Sequence, residues 1–369
     1  MADWVHTGYA QQIRFGAGAL DGLGGLIRSL SARRVMLVTT EGRVRSDDGQ
    51  RLVASIGRSL CSTFSGVSSH VPAPAVQSAV HQARRDGVDA IVSFGGGSCA
   101  DAGKAVAFFF EAEQGAPGSS YLDRPMLPHV AIPTTYSGAE LTPFFGVTDP
   151  HTRHKSGGGG PTCAPVAAIY DPQLTLSTPP KVSAETDMNA LAHCVEILWS
   201  PNATPEAKAI AAAGARRIFV ALPWVVEEPD DLAGRTAMFE GAVLGGRCLQ
   251  SGTMGIHHGL SQLVGGRTGI PHGLANAIIL PHAIRYNAEA VPDAIAVIAD
   301  AFGTCEEGCA DAVEALVRRL GLPTYLSDAG VSGDDIEAVA RLSQSNVSVL
   351  ANPKPVTEAD ALDVLRDAL

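Results

Sequence analysis

Two patterns of hydrophobic and polar positions divide the chain. In the first half, short apolar and β-branched runs alternate with segments of helical periodicity. The runs predict four strands, at Arg34–Thr40, Ser65–Val71, Ala90–Phe94 and His129–Pro133. From about Ser183 onwards helical periodicity dominates. Strands alternating with helices predict a parallel sheet wound on both faces, so we expect an α/β first half and an all-helical second half.

Composition restricts the possible functions. Of 369 residues, 46 % are apolar and 18 % charged, which supports a large core and argues against disorder. A net charge of −11 makes a nucleic-acid or anionic-membrane binder a poor interpretation. The N-terminus lacks the pattern of a secretory signal, and no uninterrupted apolar stretch has the length of a membrane span. Seven scattered cysteines predict a reduced, cytoplasmic protein.

A glycine triplet follows the third predicted strand, in the segment FGGGSCADAGK. Its residues are Gly95, Gly96 and Gly97, followed by Ser98 at the start of a predicted helix. Such a turn lets the backbone approach a ligand closely, and the helix N-terminus favours a phosphate. Asp101 would stabilise the helix start or face the bound ligand. The spacing fits neither a Walker loop nor G-x-G-x-x-G, so a turn without a ligand stays an alternative.

A second polar turn follows the fourth predicted strand. Thr134, Thr135, Tyr136 and Ser137 place four hydroxyl groups in a row after Ile132 and Pro133. Ligands of open α/β sheets gather at the carboxyl ends of strands, which makes this a candidate cofactor and substrate surface. An ordinary polar loop is the alternative interpretation.

Histidines supply candidate chemistry in the second half. Asn189 and His193 are four residues apart and share one face of a predicted helix. His257 and His258 stand on a later helical stretch, and His272 follows a glycine-containing turn. Imidazoles from separate elements can converge on a metal or a substrate, although a lone histidine is more often a core residue.

Motifs over almost the whole chain resemble the iron-containing alcohol dehydrogenases. They are FGAGAL, GGGSCADAGK, IPTTYSGAE, YDPQLTLSTPP, the helix with His193, and PHGLANAIILPH, in family order. The resemblance implies a dinucleotide-binding α/β domain over residues 1–160, a mainly helical domain over 161–369, and an active site in the cleft between them. His151–Pro165, which contains four consecutive glycines, is predicted to be a flexible stretch near this boundary.

Within that family, the segments TTYSGAELTPFFGVTD, MNALAHCVE and MGIHHGL resemble the maleylacetate reductases. The resemblance implies an NAD(P)H-dependent reductase that converts maleylacetate to 3-oxoadipate in aromatic compound degradation, and we expect a homodimer. Metal-dependent members carry Asp at the position of Asn189, together with histidines matching His193, His258 and His272. A neutral amide removes the only negative ligand, so we predict no essential metal.

Three departures from the maleylacetate-reductase pattern concern the substrate. Gly259 and Gln262 stand where that branch usually has Lys and His, and Ser156–Gly160 lacks its usual Arg. Fewer cations would weaken binding of maleylacetate, which is a dianion, so a related small unsaturated or oxo substrate stays an alternative. Two further hypotheses are a metal-dependent alcohol dehydrogenase acting on a neutral aldehyde, and a non-catalytic nucleotide-binding relative.

The predicted site residues fall into three groups. The catalytic group, which would polarise the substrate oxygen or supply a proton, is His193, His258 and His272. The substrate-binding group is Tyr136, Asn189, Arg153 and His257. The cofactor-binding group is Thr40, Gly95, Gly96, Gly97, Ser98, Asp101, Thr134, Thr135 and Lys155.

The end of the first predicted strand bears on cofactor choice. Thr40 stands where strict NAD enzymes of the family have Asp, and Arg43 and Arg45 follow closely. Because Thr40 would not repel a 2′-phosphate, we predict use of both NADH and NADPH. Glu41 argues the other way, since it could restore the missing carboxylate.

Overall fold

The computed structural model describes residues 8–69, 71–115, 125–149 and 155–369. Within them the chain forms two compact units, which divide between Thr178 and Pro179. The boundary predicted at 160/161 precedes a strand of the first unit's main sheet, and that unit continues to Thr178.

The first unit is built on a six-stranded parallel sheet with the order β1-β8-β5-β4-β2-β3, and a two-stranded antiparallel hairpin forms from β6 and β7. The strands are β1 Gln12–Phe15, β2 Val35–Thr39, β3 Leu60–Phe64, β4 Ala90–Gly95, β5 His129–Pro133, β6 Phe144–Thr148, β7 Lys155–Gly159 and β8 Ala167–Tyr170. The helices are α1 Leu23–Ser29, α2 Glu41–Arg45, α3 Asp47–Ile56, α4 Ala73–Arg85 and α5 Gly97–Ala112.

Strands β2, β4 and β5 are buried at every position. Such runs are typical of parallel strands covered by helices on both faces. Apolar side chains fill two core clusters in this unit, one of which includes Met36 and Ile91 and the other Leu37 and Val92. Because the strands are parallel, the turns after β2, β4 and β5 lie at one edge of the sheet.

Two local predictions for this unit are wrong. The strand expected at Ser65–Val71 is instead β3, because α3 ends at Ile56 before Gly57, whose φ of 62° suits glycine, and the chain is extended from Leu60. Of the stretch 151–165 that was expected to be flexible, residues 151–154 lie outside the described residues, and Lys155–Gly159 forms β7, which pairs with β6. Gly158 is needed there, because a Cβ would lie 2.7 Å from the Phe145 ring.

The second unit is helical, as predicted. Its helices are α6 Pro180–Trp199, α7 Pro205–Glu227, α8 Leu232–Cys248, α9 Ile256–Thr268, α10 His272–Asn287, α11 Pro292–Phe302, α12 Cys309–Arg319, α13 Gly333–Ser343, α14 Val347–Leu350 and α15 Glu358–Asp367. Helix α6 is buried almost throughout. Helix α7 is long and apolar enough to cross a membrane by length and composition, which is weak evidence because core helices of soluble proteins pass the same test. The α/β plus helical fold class is confirmed.

Candidate active site

The glycine turn joins β4 directly to α5. Gly95 has a φ of 142°, and Gly96 precedes the first turn of α5 without providing a side-chain cap. A Cβ on Gly96 would lie 3.2 Å from Thr135 Oγ1, and one on Gly97 would lie 2.7 Å from Ser137 Oγ. The backbone of this turn therefore packs against the second polar turn, and the positive end of α5 lies beside it.

The two predicted turns are joined by a backbone hydrogen bond. Thr134 N donates to Gly95 O at 2.9 Å. The hydroxyl oxygens of Thr134 and Thr135 are buried and have no hydrogen-bond partner within the described part of the chain. An unsatisfied buried hydroxyl costs about 1–3 kcal/mol, so this pair is suited to a polar ligand. Tyr136 is fully buried in the same unit.

Asp101 is engaged by protein groups. Its Oδ1 lies 2.8 Å from Lys104 Nζ, and its Oδ2 accepts from Gly146 N at 3.4 Å. Lys104 is fully buried and donates to Ala139 O at 2.7 Å and to Phe144 O. Asp101 and Lys104 thus attach α5 to the chain around β6, and a contact between Asp101 and the cofactor stays a prediction.

Thr40 precedes α2 and accepts a hydrogen bond from Arg43 N at 3.2 Å. The Arg43 guanidinium donates to Ser177 Oγ at 2.8 Å and to Thr178 Oγ1 at 3.1 Å. Arg45 forms an exposed ion pair of 2.5 Å with Glu41. Both arginines near the expected ribose position therefore already have partners in the protein.

Arg153 lies outside the described residues. Lys155 is the first residue of β7, and only its backbone belongs to the described part of the chain.

The helical unit brings the three predicted catalytic histidines together. His193 stands on α6, His258 in the first turn of α9, and His272 at the first position of α10. The His193 and His258 rings stack with centroids 4.8 Å apart, and the His258 and His272 centroids are 5.9 Å apart.

Asn189 lies beside these rings, as its helical spacing from His193 suggests. Its Oδ1 is 3.3 Å from His258 Nε2 and accepts from Asn276 Nδ2 at 2.7 Å. Asn276 belongs to α10, so side chains of three helices meet at this amide.

Glu196 lies in this histidine cluster, and the sequence analysis did not single it out. It is fully buried; Oε1 accepts from Gly255 N at 2.9 Å and His257 N at 3.1 Å. Oε2 accepts from His258 N at 3.2 Å and lies 2.5 Å from His258 Nδ1. The available signal was a carboxylate in the apolar helix segment that carries His193, three residues further along.

The charges of this cluster depend on one another. Burial alone would raise the pKa of Glu196, but its interactions with His257 and His258 outweigh burial and hold that pKa well below its usual range. Burial lowers the pKa of His258, and the hydrogen bond to Glu196 opposes that shift. Burial and then the neighbouring His258 hold the pKa of His193 well below its ordinary value, so His193 is neutral at pH 7.

His257 was predicted to bind substrate, and the structure gives it a different environment. The side chain is fully buried, Nε2 lies 2.9 Å from Asn276 O, and Nδ1 lies 3.2 Å from His258 Nδ1. Because both ring nitrogens face protein atoms, His257 supports His258 and does not present a ring nitrogen to a ligand.

The fold and these two sets of residues define an NAD(P)-dependent oxidoreductase. Residues 10–172 match the family described as iron-containing alcohol dehydrogenase, and residues 183–369 match the C-terminal part of the Fe-containing alcohol dehydrogenase family. The chain therefore belongs to the iron-containing alcohol dehydrogenase family, as its motifs predicted.

Named relatives narrow the class. A maleylacetate reductase from Rhizobium sp. (strain MTP-10005) is 34 % identical over 363 residues, which cover 98 % of this chain and 97 % of the relative. The crystal structure of a maleylacetate reductase from Agrobacterium tumefaciens has a TM-score of 0.88 at 32 % identity, covering 100 % and 99 % of the two chains. A sulfoacetaldehyde reductase from Bifidobacterium kashiwanohense, solved with NAD+, has a TM-score of 0.89 at 26 % identity, covering 100 % and 98 %. The chain is an NAD(P)H-dependent reductase that resembles the maleylacetate reductases.

The family name implies iron, and the donor groups can be tested for it. Glu196, His257 and His258 offer ligand atoms within 4.8 Å of one another, but Glu196 already accepts three backbone N–H groups and faces His258 Nδ1. The set formed by His193, His258, His272 and Asn189 contains no carboxylate. Its amide oxygen accepts from Asn276. Three imidazoles and an engaged amide are a weak set for a hard divalent cation.

Proposed function

We propose that this enzyme transfers a hydride from NADH or NADPH to a small unsaturated or oxo substrate of the maleylacetate type. The observation that carries this proposal is the cluster of His193, His258 and His272, in which His258 is backed by a buried carboxylate. In the proposed reaction the hydride reduces a carbon–carbon double bond conjugated to a ketone, and maleylacetate would give 3-oxoadipate. Transfer of a proton then neutralises the negative charge that develops on the substrate oxygen.

The first unit supplies the proposed cofactor site. Gly95, Gly96, Gly97 and Ser98 would hold the pyrophosphate at the start of α5, where backbone N–H groups and the helix dipole favour an anion. The hydroxyls of Thr134 and Thr135, which lack a hydrogen-bond partner among the described residues, support this assignment, since a bound ligand would satisfy them. Thr40 would lie near the adenosine ribose, and Asp101 and Lys155 would complete the site.

The second unit supplies the proposed substrate chemistry. His258 would exchange the proton, while His193, His272 and Asn189 would polarise or orient the substrate oxygen. Tyr136 and Arg153 would contact the substrate.

We also propose that catalysis needs no metal, because the amide of Asn189 replaces the one negative ligand expected in metal-dependent relatives. The second candidate, a metal-dependent reductase of a neutral aldehyde, is favoured by the grouping of Glu196, His257 and His258. Localisation in the cytoplasm and assembly into a homodimer are further proposals. The seven free cysteines suit a reducing compartment, and light scattering would measure the assembly.

The test is an activity screen of the purified protein. NADH and NADPH are each offered with maleylacetate, with related oxo-acids of one or two carboxylates, and with neutral aldehydes. Nicotinamide oxidation with an oxo-acid supports the proposal, and preference for an aldehyde supports the second candidate. If the protein binds NADH but does not oxidise it with any substrate of the panel, the result supports the non-catalytic relative.

A further inference from the structure

The hydrogen bonds around His257 determine which of its nitrogens carries a proton. Its Nε2 lies 2.9 Å from the backbone oxygen of Asn276. A carbonyl oxygen can only accept, so Nε2 must be the protonated nitrogen. In neutral His257 the remaining lone pair is therefore on Nδ1, which lies 3.2 Å from His258 Nδ1.

This lone pair and Glu196 together determine the proton position on His258. Its Nδ1 faces a carboxylate oxygen at 2.5 Å and the lone pair of His257. Both neighbours are acceptors, so His258 Nδ1 carries a hydrogen. Neutral His258 then has its lone pair on Nε2, the nitrogen directed towards Asn189.

The side-chain amide of Asn189, which is hydrogen-bonded to that of Asn276, lies beside His258 Nε2 and can form a hydrogen bond with it whether or not it carries a proton. With Asn189 Oδ1 facing His258, a protonated Nε2 donates to it. In the neutral state, a half-turn of both amides brings Asn189 Nδ2 to Nε2 and Asn276 Oδ1 to Asn189 Nδ2. The buried Oδ1 of Asn276 has no hydrogen-bond partner among the described residues, and this rotation would give it one.

We propose that Glu196 is a positioning residue that keeps a hydrogen on His258 Nδ1, so that Nε2 is the nitrogen that gains and loses the catalytic proton. This inference rests on the proposed role of His258 in hydride transfer. Bound NADH or NADPH would supply the hydride that the substrate carbon accepts, and the displaced electron pair would form an enolate. The N–H bond at Nε2 breaks as its proton passes to the enolate, leaving neutral His258 with its hydrogen on Nδ1, and a water proton restores Nε2–H.

The wild-type protein gives the most direct test, which needs no substrate. Histidine-selective ¹⁵N labelling and long-range ¹⁵N–¹H NMR distinguish the two tautomers, with signals assigned from His257→Gln and His258→Gln. At a pH where both rings are neutral, we expect Nδ1–H for His258 and Nε2–H for His257. A neutral His258 protonated on Nε2 would overturn the inference, whatever the enzyme reduces.

The Glu196→Gln variant tests the causal link. Its amide can donate from Nε2 to His258 Nδ1, which would move the hydrogen of neutral His258 to Nε2. We expect this change in the spectrum and a fall in kcat of at least about tenfold, with the cofactor KM within about twofold of wild type. Glu111→Gln is the control, because Glu111 is a buried carboxylate of the first unit that accepts from Met126 N and Thr162 Oγ1. An unchanged His258 tautomer, or an equal fall in kcat in the control, would overturn the role of Glu196. If Glu196→Gln does not fold, the wild-type spectrum decides.

Discussion

His193 and His258 stack with their ring centroids 4.8 Å apart and 22° between their planes. Two imidazolium rings at this distance in a buried site would repel each other strongly, so the pair can carry at most one positive charge. Glu196 contacts His258, which makes His258 the ring that takes the proton. In the proposed mechanism, the stacked pair would combine a neutral histidine with a proton donor.

Replacing His258 tests its assignment as the proton donor. We expect His258→Gln to lower kcat by roughly a hundredfold or more, because a positioned general acid typically contributes 10² to 10⁴ in rate. Stopped-flow measurement of nicotinamide oxidation gives the rate. His282→Gln, on α10 away from the described site contacts, is the control and should keep kcat within about twofold. Near-normal turnover of His258→Gln would remove the residue from the mechanism.

Gly96→Val tests the cofactor site. A Cβ at Gly96 lies 3.2 Å from Thr135 Oγ1 and 3.3 Å from Thr135 Cγ2, and the rest of the valine would project beside the start of α5. We expect NADH and NADPH to bind roughly tenfold more weakly or worse, a loss of at least about 1.4 kcal/mol by calorimetry. The control is Gly333→Val, where an added Cβ meets nothing within 4 Å. Wild-type affinity in folded Gly96→Val would refute the pyrophosphate assignment.

The residues after β2 predict that both cofactors are used. Thr40 carries no charge that would repel the 2′-phosphate, and Glu41 is paired with Arg45 at the surface. We expect the two kcat/KM values to lie within roughly a hundredfold of each other, a gap under about 2.8 kcal/mol. Steady-state kinetics with NADH and NADPH measure the ratio. A larger preference for NADH would show that Glu41, or another acid, excludes the phosphate.

Acid should destabilise the first unit through His129. Burial, and then Lys104, lower the pKa of this histidine to about 3. Below its ordinary pKa of 6.5, His129 binds a proton in the unfolded chain, whereas the buried His129 of the folded chain stays neutral. The free energy of unfolding therefore falls as pH decreases from 6.5 towards 3. Between about pH 7 and about pH 5 this loss is about 2 kcal/mol.

Urea unfolding of His129→Gln at both pH values checks this expectation. The variant should lose about 2 kcal/mol less than wild type over that interval. His81→Gln replaces an exposed histidine of the same unit and should follow the wild-type pH dependence. Identical pH dependence in wild type and His129→Gln would contradict the sign or the origin of the effect.

Local sequence signals predicted the features that depend on neighbouring residues. The glycine triplet after a buried run indicated the β4–α5 turn, and the four-residue spacing of Asn189 and His193 placed them on one helix face. The β6–β7 hairpin was missed because the glycines of β7 have no apolar alternation, and their pairing with β6 depends on the fit of Phe145 against Gly158.

The interior of the histidine cluster depends on contacts that a linear pattern does not contain. Glu196 is 59 residues from Gly255 and 62 from His258, so its hydrogen bonds arise only when α6 and α9 pack. His257 resembles His258 in sequence, and only the position of the Asn276 carbonyl distinguishes their roles. A buried carboxylate was therefore the least predictable part of the site.

The central claim, metal-independent hydride transfer to a maleylacetate-type substrate, is tested most directly with chelator-treated protein. Metal content is measured by elemental analysis, and maleylacetate is then added with NADH or NADPH. We predict that nicotinamide oxidation persists at the untreated rate and that one 3-oxoadipate forms for each nicotinamide oxidised. Loss of that activity on chelation, with recovery on adding zinc or iron, would contradict the account and support the metal-dependent reductase.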